Sequence, residues 1–199
     1  MSEPRRHFLS IAGMLGAGLA LATRPSPARA QKPAEKKVAA EVVISPTGGD
    51  QTAAIQSAID QAAERGASLT LTSGDFTVTS LELRPRTRIT GSPGTRIVPA
   101  SDAFGLIARN ADGLTLTNLA IDGRERGLAS GRGAEGLVTV LGGRGVRLSR
   151  LTLSGSPRHG LYLNKASGQV GECAVASVKS AGIFSIDAEG LEITGNTVE

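Results

Sequence analysis

The chain has 199 residues, enough for one domain with a continuous apolar interior, and its 26 Gly, 3% aromatic residues and lack of Trp suit short strands and tight turns better than a helical core. Its formal charge of +4 rests largely on Arg5, Arg6, Arg24 and Arg29, which face Glu3 alone within residues 1–30; the remainder carries 18 basic and 17 acidic residues, near neutrality. With so few aromatics, that balance excludes a general nucleic-acid binder, and a single Cys excludes an intramolecular disulfide, a thiolate-rich zinc site and a c-type haem site.

The chain opens with Arg5-Arg6-His7-Phe8-Leu9-Ser10, followed by a Gly- and Ala-rich apolar run from Ile11 to Ala22. Arg24-Pro25-Ser26-Pro27 breaks any helix, and Ala28-Arg29-Ala30 supplies small residues for cleavage. The segment closely resembles the twin-arginine export motif. That resemblance implies a cleaved signal over residues 1–30, recognition by the twin-arginine export machinery, and a periplasmic or secreted protein. The apolar run is shorter than the roughly 20 residues of a membrane span, so no stable span is expected after cleavage.

Residues 31–44, polar and Pro-containing at their start, read as a linker, and 45–199 as the folded domain. A helix is predicted over about 50–65: Asp50 is placed as N-cap, Ala54, Ile55, Ala58, Ile59, Ala62 and Ala63 form one apolar stripe, and Gly66 ends it. Ser68-Leu69-Thr70-Leu71-Thr72 and Phe76-Thr77-Val78 then alternate as strands around a Gly74-Asp75 turn.

Beyond residue 81 the pattern is repetition. Apolar residues recur at +3 and +5 in Leu116/Leu119/Ile121, Leu148/Leu151/Leu153 and Val170/Cys173/Val175, with Asn196 taking the middle place in Ile193/Asn196/Val198. The pairs Gly105-Leu106, Gly136-Leu137, Gly160-Leu161 and Gly182-Ile183 mark the same period independently. Such a period predicts an all-β solenoid, a right-handed parallel β-helix with coils over about 68–199, in which equivalent residues stack about 4.8 Å apart. One longer step marks an insertion at 123–133, expected to be a loop leaving the coil. The chain stops inside a coil, which reads as truncation at the C-terminus or a fragment of a longer β-helix protein.

Gly48-Gly49-Asp50-Gln51-Thr52-Ala53-Ala54-Ile55-Gln56-Ser57-Ala58-Ile59-Asp60 resembles the opening helix of pectate-lyase-like and polygalacturonase-like β-helix proteins, and Asn118 to Gly123 resembles a first-coil segment of that superfamily. The resemblance implies a helix capping the N-terminal end and, for an enzyme, polysaccharide lyase or glycoside-hydrolase-like chemistry, with Ca²⁺ as the one cofactor it would bring. It assigns no activity. Polygalacturonase-like enzymes cluster several Asp residues on neighbouring coils, and none surround Asp122.

Stacking the repeats sets Glu135 beside His159, a candidate acid–base pair, with Asp122 entering the loop nearby. Between Arg84 and Arg158 lie twelve Arg and five acidic residues, an excess suited to an anionic ligand; Arg124, Arg126, Arg158 and Lys165 are the candidate cations. Ile107, Val138, Tyr162 and Phe184 form a second ladder, facing either core or solvent; if it faces out, Tyr162 and Phe184 offer stacking surfaces for a sugar. Cys173 reads as a packed hydrophobe and Asn196 as a backbone-bonding turn residue. The leading expectation is a protein that binds an anionic, uronate-type polysaccharide, with or without processing it. The alternative is a non-catalytic structural or interaction solenoid of the cell envelope.

Overall fold

The computed structural model describes residues 40–199, so the expected export signal and most of the expected linker lie outside the described residues. Glu41–Ile44, expected as the linker's end, is instead a strand, β1: Val42 and Ile44 alternate inward and pack against the core. The single described α-helix, α1, spans Thr52–Arg65. It begins two residues after Asp50, yet the Asp50 carboxylate still accepts the Thr52 N–H at 2.9 Å, and the bonds from the Thr52 hydroxyl and N–H hold its carboxyl below the usual range. Gly66 closes the helix at φ 64°, a left-handed conformation that a side chain would oppose, with its N–H directed to the Ala62 and Ala63 carbonyls. The buried stripe Ile55, Ala58, Ile59 and Ala62 packs against the first strands.

All named strands pair in parallel, and they follow a three-strand repeat. The first repeat is β2 (Ser68–Leu71), β3 (Gly74–Val78) and β4 (Ser80–Leu83); the second is β5 (Arg88–Gly91), β6 (Thr95–Pro99) and β7 (Gly105–Arg109). The third uses β8 (Thr115–Thr117), β9 (Ala120–Asp122) and the start of β10 (Gly136–Ser149). The fourth runs from the end of β10 through β11 (Thr152–Ser156) into β12 (His159–Gly171), and the fifth from β12 through β13 (Ala174–Val178) to β14 (Ile183–Ile186). β15 (Leu191–Thr194) and β16 (Thr197–Val198) follow. Each strand pairs with its counterpart one repeat on, giving a ten-stranded and a six-stranded sheet.

The register turns periodicity into columns. Leu116, Leu148, Val170 and Ile193 align across the first series, as the recurrence of apolar residues predicts, and Val42, Leu69 and Ile89 extend the same column towards the N-terminal end. Phe76, Ile97, Ile121, Leu153, Val175 and Val198 align across the second. Members in the middle of these columns are fully buried, each contributing roughly 1.5–3 kcal/mol over an exposed position. Cys173 is packed in the core, where burial pushes its thiol up, and the Asn196 amide bonds the Cys173 N–H and the Val170 carbonyl, as read from the sequence.

One register differs from expectation. Leu106, Val138, Leu161 and Ile183 share a column, so Gly136 lies opposite His159 rather than Gly160. The cause is local: the Thr139 hydroxyl accepts the N–H groups of Glu135 and Gly136, at 3.0 and 3.1 Å, and tightens the path by which the inserted segment rejoins the sheet.

Sheet edges at the N-terminal end are satisfied by side-chain and backbone groups of α1 and the residues before it. Gln56 spans the free edge of β4, donating to the Glu82 carbonyl at 3.0 Å and accepting the Glu82 N–H at 2.8 Å. Gln51 N–H donates to the Thr77 carbonyl at 2.8 Å, and Thr52 Oγ1 accepts the Thr79 N–H at 2.8 Å. Gln56→Leu removes both bonds to Glu82 and is expected to lower unfolding free energy by about 1–3 kcal/mol in urea titration. A loss below about 0.5 kcal/mol would mean that water replaces the amide there.

Candidate functional site

Strand alternation turns every second residue outward, and register stacks Glu82, Ile107, Thr139, Tyr162 and Phe184 into one outer row. Thr139 therefore occupies the place expected for Val138, which lies in the core. The loop between β9 and β10 does not project freely. It lies against this row, where Leu128, Ala129 and Ala134 cover Ile107. Arg132 donates to Ser80 Oγ at 2.9 Å, and Arg109 bonds both the Arg132 carbonyl and Glu82. Ile107 and Thr139 are thereby sealed, while Tyr162 and Phe184 stay half-buried at the surface.

The two remaining rings stack, with centroids 5.4 Å apart and planes 12° from parallel. His159 joins them, stacked on Phe184 at 4.8 Å and tilted against Tyr162 at 5.7 Å. Only 9% of His159 is exposed. Its Nδ1 accepts the Ala181 N–H at 3.2 Å, which places the proton of the neutral ring on Nε2. The turn before it is fixed by Ser156, whose hydroxyl donates to the His159 carbonyl at 2.7 Å and accepts the Arg158 N–H at 3.2 Å.

The expected Glu135–His159 acid–base pair does not form. With Gly136 opposite His159, Glu135 falls opposite Arg158 and forms an ion pair with it; its only bond to His159 is between backbones, His159 N–H to the Glu135 carbonyl at 3.3 Å. The site therefore brings together Tyr162, Phe184, His159 and the Glu135–Arg158 pair. The other candidates lie elsewhere. Asp122 sits on the six-stranded sheet and accepts the Arg124 N–H at 3.0 Å, Arg124 approaches Asp75 at 3.7 Å, and Arg126 approaches Asp102 at 3.4 Å. Lys165 lines a groove with Arg144, Asp187 and Glu189. Among the described residues no group of three or more His, Cys, Asp or Glu is placed to hold a metal ion, so Ca²⁺ finds no carboxylate nest there.

Carboxylate partners neutralise three of the chosen cations, and the sequence reading did not single out four arginines that lack such partners among the described residues: Arg86, Arg88, Arg144 and Arg147. Sequence spacing did not mark them: the pairs Asp75–Arg96, Asp102–Arg126 and Glu135–Arg158 lie about one repeat apart, but Arg86, Arg88, Arg144 and Arg147 also have an acid at about that distance, and only the register of the strands decides which groups meet.

No known protein family and no curated protein matches this chain. In fold it is similar to a protein from Parabacteroides merdae ATCC 43184 that carries the description "putative glycosyl hydrolase", with a TM-score of 0.51 and 16% identity over 79% of this chain and 97% of that one. At that identity the likeness is one of fold. No helix among the described residues is long and apolar enough to cross a membrane.

Asp75 receives two bonds from Arg96, at 2.9 and 2.8 Å, and these hold its carboxyl below the ordinary value, with Arg124 adding to the effect. A lowered folded value stabilises above the unfolded value of about 3.9 and is lost as pH falls through the folded one. The urea midpoint is thus expected to fall less between pH 6 and pH 3 in Asp75→Asn than in the parent chain. An identical fall in both would show that this pair makes no net contribution.

Proposed function

We propose that this chain is an exported carbohydrate-binding protein, built as a right-handed parallel β-helix whose N-terminal end is closed by α1, and that its ligand is an anionic, uronate-type polysaccharide. The observation that carries the reading is the outer row at Tyr162 and Phe184: two stacked rings and an imidazole, half-open to solvent, beside a guanidinium–carboxylate pair. Aromatic surfaces take the apolar faces of sugar rings, and the exposed Arg86, Arg88, Arg144 and Arg147, which have no carboxylate partner among the described residues, offer guanidinium forks to a carboxylate. Repeat-to-repeat parallel pairing in three series supports the β-helix, and the resemblance of Arg5-Arg6-His7-Phe8-Leu9 to the twin-arginine motif supports export. The glycosyl hydrolase description of the structural neighbour agrees with a carbohydrate ligand. Binding is favoured over turnover because the Glu135 carboxylate is engaged by Arg158 instead of facing the imidazole.

Titration of the purified chain with acidic and neutral oligosaccharides is expected to show binding of the acidic ones, weakened roughly tenfold or more by Tyr162→Ala or Phe184→Ala. Binding of no glycan, or binding indifferent to both substitutions, would remove the reading. Exchange of Arg5 and Arg6 for Lys keeps the charge but breaks the motif, and is expected to retain the chain inside the cell in a fractionation experiment. Undiminished export would argue for a different route.

A further inference from the structure

Of the twelve arginines from Arg84 to Arg158, seven reach a carboxylate within 4 Å, and Arg132 bonds Ser80. The guanidinium groups of the other four, Arg86, Arg88, Arg144 and Arg147, have neither an acid at that distance nor a hydrogen-bond partner among the described residues, and all four are exposed. They are ordered in space. Arg88 and Arg147 stand on the outer face of the first strand series, one repeat to either side of Thr115. Arg86, Asp112 and Arg144 stack at the adjoining corner: Arg86 N–H donates to the Asp112 carbonyl at 2.7 Å, and Arg144 N–H donates to Asp112 Oδ1 at 2.7 Å. One repeat is thus positive, the next carries Asp112 and Thr115, and the third is positive again.

We propose that this face is a binding track for an acidic glycan in which charge recurs on every second sugar. The inference rests on the carbohydrate reading above and narrows its ligand. Parallel strands lie about 4.8 Å apart, so the two arginine layers are about 10 Å apart, close to twice the advance of one sugar along an extended chain. Carboxylates two sugars apart meet both layers, each taken by forked charge-assisted bonds. The sugar between them lies opposite the Asp112 repeat. A neutral sugar is accepted there, with Thr115 and Thr117 offering hydroxyls, whereas a uronate is repelled by the exposed Asp112 carboxylate. Asp112 thereby acts against glycans charged on every sugar. Asp187, Glu189 and Glu192 follow towards the C-terminal repeats, so the track is short; Lys165, in the groove with Asp187 and Glu189, has its charge opposed there.

The test titrates the purified full chain at low salt with three octasaccharides: hyaluronan, in which glucuronate alternates with a neutral amino sugar, oligogalacturonate, charged on every sugar, and a neutral glucan. Hyaluronan is expected to bind about fivefold or more tighter than oligogalacturonate. Arg88→Ala with Arg147→Ala should weaken both acidic ligands roughly tenfold or more. Asp112→Asn, which keeps an oxygen to accept the Arg144 N–H, should raise oligogalacturonate affinity to that of hyaluronan and leave hyaluronan unchanged. Equal affinity for the two acidic ligands in the parent chain, or no response to either set of substitutions, would overturn the track. Glycan binding that depends on Tyr162 and Phe184 but ignores Arg88, Arg147 and Asp112 would overturn this inference alone. Absence of binding to all three octasaccharides would overturn it together with the carbohydrate reading.

Discussion

Parallel hydrogen bonding between equivalent strands of successive repeats is the constraint on which the rest of the structure depends. Once Leu116 pairs with Leu148, and Leu148 with Val170, the side chains between them have no choice of neighbour. An inward position must then be apolar in each repeat, because a single polar member would leave an unmet group in contact with leucines above and below. Asn196 is the informative exception, since its amide bonds the Cys173 N–H and the Val170 carbonyl and so spends its polarity on the backbone. The same pairing leaves open edges where the series begins. Gln56, with two bonds to Glu82, stands in for the missing strand, so that α1 contributes both an apolar stripe and hydrogen-bonding groups to the same end.

The inserted segment between β9 and β10 is the main departure from regularity, and its effects are coupled. It brings Ala129 and Ala134 onto Ile107, and Ile107 and Thr139 of the outer row are thereby removed from solvent. Where it rejoins the sheet, Thr139 gathers the N–H groups of Glu135 and Gly136, and the register moves by one residue. Because alternation has a period of two, a shift by one residue changes which side chains meet. Glu135 consequently reaches Arg158, and His159 is left to stack on Phe184.

The columns were legible in the sequence because burial imposes one residue class at a fixed offset, and that signal repeats with each turn of the pattern. The helix was legible for the same reason, its stripe and Gly66 stop being local features. The first strand was not, since Glu41–Ile44 is too short to show a period and takes its place only by pairing with Ser68–Leu71. Tyr162 and Phe184 were placed together correctly, but their direction was open until alternation could be anchored to the buried Leu161 and Leu163. The acid–base pair failed on the Thr139 register, which depends on one hydroxyl accepting two N–H groups. No periodicity records such a contact.

Charge obeys the same geometry with weaker force. Exposed ion pairs contribute little each, so burial sets no requirement on their sequence. Their partners are nevertheless fixed by register: Asp75 meets Arg96 and Asp102 meets Arg126 because each pair is about one repeat apart. An arginine whose counterpart in the neighbouring repeat is neutral has no comparable option. Arg88 and Arg147 share Thr115 as that counterpart, and Asp112, the nearby acid, already accepts the Arg144 N–H. Unpaired charge is therefore concentrated on one face by the stacking itself, while the apolar columns carry the stability. The outer positions are free to vary in charge because the fold does not depend on them.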